Sequence, residues 1–187
     1  EEKDMKIQTH CYGIKMLFII AVSIFSLTNT VTAVTYKAVI LNGEGFDGSQ
    51  ANGAGGGQQV GWGGGEATGY TIHAILWNGS AEGFIDLNPN EFTESVACAT
   101  NGIQQVGQCI GMPNHDDKHA FLWNGSAESY IDLNPADFDE SSAYGISGNQ
   151  QVGIGYGEAT QGEGHALLWN GSANNYVDLN PSGFDYS

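Results

Sequence analysis

Apolar residues along this chain fall into short runs, and no segment shows helical periodicity. Between residues 138 and 181 there are four such runs: Ser141-Ser-Ala-Tyr-Gly-Ile146, Gln150-Gln-Val-Gly-Ile-Gly-Tyr156, His165-Ala-Leu-Leu-Trp169 and Tyr176-Val-Asp-Leu179. Ser147-Gly148-Asn149 closes the first, and a Gly/Glu/Thr/Gln stretch from Gly157 to Gly164 follows the second. Asn170-Gly171 follows the third and marks a hairpin, because both residue types tolerate positive φ. Asn180-Pro181 stops the fourth, because proline has no N–H to give a ladder. The pattern predicts four short antiparallel strands. The third strand, as in Ala120-Phe-Leu-Trp123, is nearly continuous in apolar side chains, which indicates cover on both faces.

The pattern repeats. His73-Ala-Ile-Leu-Trp-Asn-Gly-Ser, His119-Ala-Phe-Leu-Trp-Asn-Gly-Ser and His165-Ala-Leu-Leu-Trp-Asn-Gly-Ser start 46 residues apart. Gln58, Gln104 and Gln150 keep the same step, as do Phe46, Phe92, Phe138 and Phe184. Four strands per unit of this length predict the blade of a β-propeller, with a β-solenoid as the rival. The expected fold class is all-β, with repeats at about 46–91, 92–137 and 138–183 and the start of a further one at 184–187. About three blades make an incomplete ring, so the sequence is expected to be truncated at its C-terminus. Ala38-Val-Ile-Leu-Asn42 aligns with Phe84-Ile-Asp-Leu-Asn88. Residues 34–43 are therefore expected to form an orphan fourth strand that completes the missing last blade, and the exposed blade faces are expected to aggregate.

The first 33 residues read differently. Lys6 and Lys15 precede a 12-residue apolar run, Met16 to Leu27, and Val31-Thr32-Ala33 forms a small-x-small exit. This is the layout of a secretory signal peptide, with a few residues of upstream sequence before Met5. The run is short of the roughly 20 residues that span a bilayer. Residues 34–187 then form the β-repeat domain, expected outside the cell or at its surface, with no membrane insertion after cleavage.

The formal charge is −16, and arginine is absent. Beyond the leader only Lys37 and Lys118 remain as cationic side chains. Phosphate neutralisation needs clustered Lys and Arg, so nucleic acid is excluded as a partner. The acidity fits solubility outside the cell. Cys11 lies in the leader, while Cys98 and Cys109 lie in the middle repeat, where the other copies carry Asn52 and Tyr144, and Gly63 and Gly155. They sit on consecutive predicted strands and form a candidate disulfide, the alternative being two buried thiols.

His119-Ala-Phe-Leu-Trp, followed by Ile131-Asp-Leu-Asn134 and the recurrent Gln-Gln-Val-Gly run, resembles the HAF family of extracellular bacterial repeats. The resemblance covers nearly all of residues 36–187, although Ile75 and Leu167 replace Phe121 in the outer copies. It implies export and a propeller-like fold. It carries no activity and no catalytic residues to transfer.

The candidate site residues begin with the three histidines. If Trp77 pairs with Glu82 across the hairpin, Ile75 faces Phe84 and His73 faces Asp86. The same register matches His119 with Asp132 and His165 with Asp178. A His–carboxylate pair is half of a catalytic triad, but no Gly-x-Ser-x-Gly elbow is present. A copy in every blade points instead to a structural hydrogen bond. Trp77, Trp123 and Trp169 read as packing, with sugar stacking as the alternative. Trp62 has no counterpart, since Gln108 and Ile154 stand at its positions, and is a candidate ligand contact. The Asn-Gly-Ser triplets match the glycosylation sequon but already read as hairpin turns. Asp137, Asp139 and Glu140 form a weak calcium candidate, without EF-hand spacing; no other metal or cofactor is implied.

The expected function is that of a binding or interaction module for an extracellular ligand, glycan or protein. The loops Gly63–Thr71, Cys109–Lys118 and Gly155–Gly164 differ between copies and are the natural contact sites. A carbohydrate-active propeller enzyme and a structural cell-envelope component are the alternatives.

Overall fold

The computed structural model describes residues 37–112 and 115–187, so the expected signal peptide lies outside the described residues. Residues Val39–Ser187 form one compact unit. Among the described residues it contains twelve strands in three four-stranded antiparallel sheets, each a simple meander. The first sheet is β1 (Gly48–Gly55), β2 (Gln58–Gly64), β3 (Ile72–Trp77) and β4 (Ile85–Asp86). The second is β5 (Glu94–Thr100), β6 (Gln105–Met112), β7 (His115–Trp123) and β8 (Ile131–Asp132). The third is β9 (Glu140–Ser147), β10 (Gln150–Tyr156), β11 (His165–Trp169) and β12 (Tyr176–Asp178).

Consecutive sheets stack through opposite faces. Val60, Ala74, Leu76 and Leu87 of the first sheet bury against Phe92, Ala97, Cys109, Phe121 and Trp123 of the second. The next junction repeats this with Val106, Ala120, Leu122 and Leu133 against Phe138, Ala143, Leu167 and Trp169. In the second sheet the run Ala120–Trp123 thus serves two cores, with Phe121 and Trp123 packed against the first sheet and Ala120 and Leu122 against the third. This is why the stretch from Ala120 to Trp123 carries no polar side chain.

The first strand of each sheet carries a bulge. Pairing jumps between Ala51 and Gly53, between Ala97 and Ala99, and opposite the Val152/Gly153 step in the third sheet. The extra residue is Asn52, Cys98 or Tyr144. Beside each bulge the second strand carries glycine for a steric reason. A Cβ on Gly61, Gly107 or Gly153 would lie 1.8, 1.9 and 1.9 Å from the carbonyl oxygens of Gln50, Val96 and Ser142.

Three expectations are corrected. Residues 37–43 form no strand. In the repeats the fourth strand pairs with the third strand of its own sheet, and 37–43 has no such partner among the described residues. Leu41 nonetheless packs beside Phe46, Ile75 and Trp77. The disulfide is also not formed: Cys98 and Cys109 are free thiols. Cys98 is the bulged residue and Cys109 pairs with Ser95, three positions away, or about 10 Å along the strand, beyond the reach of a disulfide. Finally, most of the 109–118 loop is strand. β6 and β7 run on past the ends of their counterparts, with a bulge between Ile110 and Met112.

Candidate functional site

The recurrent polar residues form one network per repeat. His73 Nδ1 lies 2.7 Å from Asp86 Oδ2, His119 Nδ1 2.8 Å from Asp132 Oδ2, and His165 Nδ1 2.7 Å from Asp178 Oδ2. The register differs from the expected one. Asp86 stands opposite Ile75, Asp132 opposite Phe121 and Asp178 opposite Leu167. The carboxylate therefore reaches diagonally to the histidine two residues back. The reason is the connection after each tryptophan, which runs from Asn78 to Phe84 in the first sheet and from Asn170 to Asn175 in the third, longer than a tight hairpin.

The other carboxylate oxygen is used as well. Oδ1 of Asp86, Asp132 and Asp178 accepts the backbone N–H of Asn88, Asn134 and Asn180 at 2.7–2.8 Å. Each asparagine amide then donates to the carbonyl of Phe92, Phe138 or Phe184 at the start of the next unit. Ser95 Oγ, Ser141 Oγ and Ser187 Oγ accept the N–H of Ala74, Ala120 and Ala166. At the other end of each sheet Gln59, Gln105 and Gln151 accept the N–H of Gly79, Gly125 and Gly171. The histidine pair is thus one link in a clamp that fixes each fourth strand and passes the chain to the next sheet.

The outer nitrogens of His73 and His165 meet different groups. His73 Nε2 lies 2.9 Å from Thr71 Oγ1, and His165 Nε2 lies 3.3 Å from the Asn180 amide. Thr71, His73 and Asp86 together align a hydroxyl, an imidazole and a carboxylate, the order of a nucleophilic relay. Thr71 Oγ1, however, also donates to Thr68 O at 2.8 Å. Asp117 and Glu163 occupy its place in the other copies. The arrangement closes a turn and is not repeated as chemistry.

That turn was legible in the sequence as Gly65-Glu-Ala-Thr68 and Gly157-Glu-Ala-Thr160, 92 residues apart. Both form 3₁₀ turns, Glu66–Thr68 and Glu158–Thr160, followed by left-handed residues Gly69 and Gln161. The middle repeat replaces them with the β6–β7 extension. These connections share one end of the sheets with the inter-sheet linkers, and depressions form there. One, of about 430 Å³, is lined by Asp137, Asp139 and Glu158 with Ala136 and Ala159. A neighbouring one, of about 290 Å³, involves Asp117, His119, Asn134 and Asp139.

The remaining candidates are placed as follows. Asp137, Asp139 and Glu140 do not gather into a metal-ligating group, and no group of three or more such side chains forms among the described residues. Glu140 instead opens β9, paired with Tyr156. Trp77, Trp123 and Trp169 are fully buried, so ring stacking on a sugar is closed to them. Trp62 is half-buried in mid-strand, opposite Gln50 and Ala74, on the same face of β2 as Val60 and away from the loop end. Burial pushes the thiols of both Cys98 and Cys109 up. Tyr130 donates to Glu91 Oε1 at 2.5 Å; this bond, followed by partial burial, holds the phenol up to about 12, and the same bond, with a backbone hydrogen bond, holds Glu91 below the usual carboxylate range.

No family model, curated protein or solved structure matches the chain.

Proposed function

We propose that the chain is an exported or surface-displayed repeat protein of the HAF class, built on propeller-type blades and acting as a binding module. One observation carries this reading. The strands, bulges and polar clamps are the same in all three sheets, while the second-to-third strand connections are not: 3₁₀ turns in the outer sheets and a long hairpin in the middle one. A scaffold held constant beneath variable loops is the arrangement of a recognition surface. The meander order of each sheet and the face-to-face stacking of successive sheets support the propeller type. The loop end is rich in carboxylates, which suits the hydroxyls of a glycan or a cationic face of a protein.

The test is binding of the labelled full chain to glycan and protein arrays, with a variant whose β6–β7 hairpin tip is replaced by the turn of residues 157–164. Binding lost with melting unchanged supports the proposal; binding indifferent to the exchange refutes it. A second reading, glycan hydrolysis, draws on Asp137, Asp139 and Glu158 lining one depression. Product release from an array-positive glycan would favour it, since glycosidases act through carboxylate pairs.

A further inference from the structure

Three surface turns share a chemical liability. Asn78, Asn124 and Asn170 are exposed, and the glycines that follow them, Gly79, Gly125 and Gly171, have φ of 82°, 87° and 79°. A residue with a Cβ is strained at such a φ, so the turn requires glycine. Glycine is also the residue after asparagine that hinders ring closure least. In that reaction the glycine nitrogen loses its proton and attacks the asparagine Cγ. A C–N bond forms, the side-chain amide leaves as ammonia, and the succinimide takes up water to give aspartate or isoaspartate. The isoaspartate product lengthens the backbone by one methylene, here in the connection that leads to the fourth strand of each sheet.

The attacking atom is already committed in all three repeats. The Gly79 N–H donates to Gln59 Oε1 at 2.8 Å, that of Gly125 to Gln105 Oε1 at 2.9 Å and that of Gly171 to Gln151 Oε1 at 2.9 Å. The acceptors are themselves fixed. Nε2 of each glutamine donates to the carbonyl two residues back, on Gly57, Ile103 or Asn149. A backbone N–H only donates and a carbonyl only accepts, so one orientation of the amide satisfies both contacts, with Oε1 on the glycine. Gln105 and Gln151 are fully buried, and water does not compete for that oxygen.

We propose that Gln59, Gln105 and Gln151 guard the Asn-Gly turns against self-modification at Asn78, Asn124 and Asn170, besides closing the sheets. An accepting carbonyl stabilises the protonated nitrogen, which must lose its proton before it can attack. It also holds that nitrogen in the turn geometry, against the rotation that ring closure needs. The same arrangement recurs at Asn101, where the Gly102 N–H donates to Thr100 Oγ1 at 3.0 Å. The linker asparagines Asn88, Asn134 and Asn180 are safe for another reason: they precede Pro89, Pro135 and Pro181, which have no N–H to lose. The inference goes beyond the proposed function and does not depend on it.

The test is incubation of the full chain at mildly alkaline pH, with peptide mapping of aspartate and isoaspartate at the three asparagines. The native wild-type chain should modify all three more slowly than the same chain unfolded in guanidinium chloride. Gln59→Leu removes the acceptor at a partly exposed position. Asn78 should then react about fivefold faster, the factor that loss of one ordinary hydrogen bond gives. Asn124 and Asn170 should keep their wild-type rates in the same sample, as internal controls for an intact fold. Gln59→Glu keeps an accepting oxygen and should keep Asn78 slow. Equal rates in the native and unfolded wild-type chains overturn the proposal, as does an unchanged Asn78 in Gln59→Leu. So does a Gln59→Glu variant as fast as Gln59→Leu, which would mean that the turn has loosened and that the acceptor is immaterial.

Discussion

Asp132 stands opposite Phe121 in the β7–β8 ladder, yet its carboxylate closes on His119, two residues back, at 2.8 Å. With its second oxygen on the Asn134 N–H, it joins the third strand, the fourth strand and the outgoing linker of the sheet.

The histidine is thus a structural link. His119→Ala should lower stability by about 1–2 kcal/mol, the scale of a hydrogen bond to a charged group. In thermal melts a double-mutant cycle with Asp132→Ala should return a coupling of about 1 kcal/mol. Additive losses would mean that the two side chains act independently.

The bulge beside Gly107 leaves no room for a side chain. Gly107→Ala should cost about 2 kcal/mol or more, because the obstructing atom is a backbone carbonyl. Gly48→Ala is the control. Its added methyl meets nothing within 4 Å, and the change should stay within about 0.5 kcal/mol. Urea midpoints of the two variants provide the comparison.

Cys98 and Cys109 should be recovered as thiols. Alkylation of the native protein followed by peptide mapping should leave Cys109 unlabelled, since it is fully buried and its thiolate is disfavoured. Brief denaturation should expose it, and Cys98, half-buried at the bulge, should label first. A peptide linking the two residues would contradict the geometry.

Tyr130 should be a late-titrating tyrosine. Absorbance titration should place it at about 12, and Glu91→Gln should return it towards the ordinary value of about 10. The stability that follows has two edges. The raised phenol contributes fully below the unfolded value of about 10 and loses its contribution as pH rises through about 12. The lowered Glu91 carboxyl contributes above its unfolded value and loses that as pH falls through its folded one. Tyr130→Phe should therefore destabilise slightly across neutral pH, and the difference should vanish at both extremes.

The strands were legible because their signals are local. Gln150–Tyr156 and His165–Trp169 follow directly from residue alternation and Asn-Gly turns. The His–Asp pairs were legible from their shared spacing of 13 residues. Their register was not, because it depends on a connection whose path is set by the Gln59 and Gln105 side chains reaching its glycines. The bulge was hidden for a related reason: Asn52, Cys98 and Tyr144 share no chemistry that marks an unpaired residue. His115-Asp-Asp-Lys118 reads as a polar loop, but backbone pairing with β6 carries it as strand. The orphan segment failed because a strand needs a partner, and alignment with a fourth strand does not supply one.

The serine hydroxyls lend the molecule a direction. Ser95 and Ser141 each complete the hydrogen bonding of a strand in the sheet before their own, so every unit is finished by its successor. In such an array each unit is steadied by the one that follows it, and removing a serine hydroxyl loosens the sheet before it. Amide exchange should record this, Ser141→Ala speeding exchange at Ala120 and leaving Ala74, held by Ser95, slow. The protein then behaves less like a rigid block than like a row of leaning books, each kept upright by its neighbour.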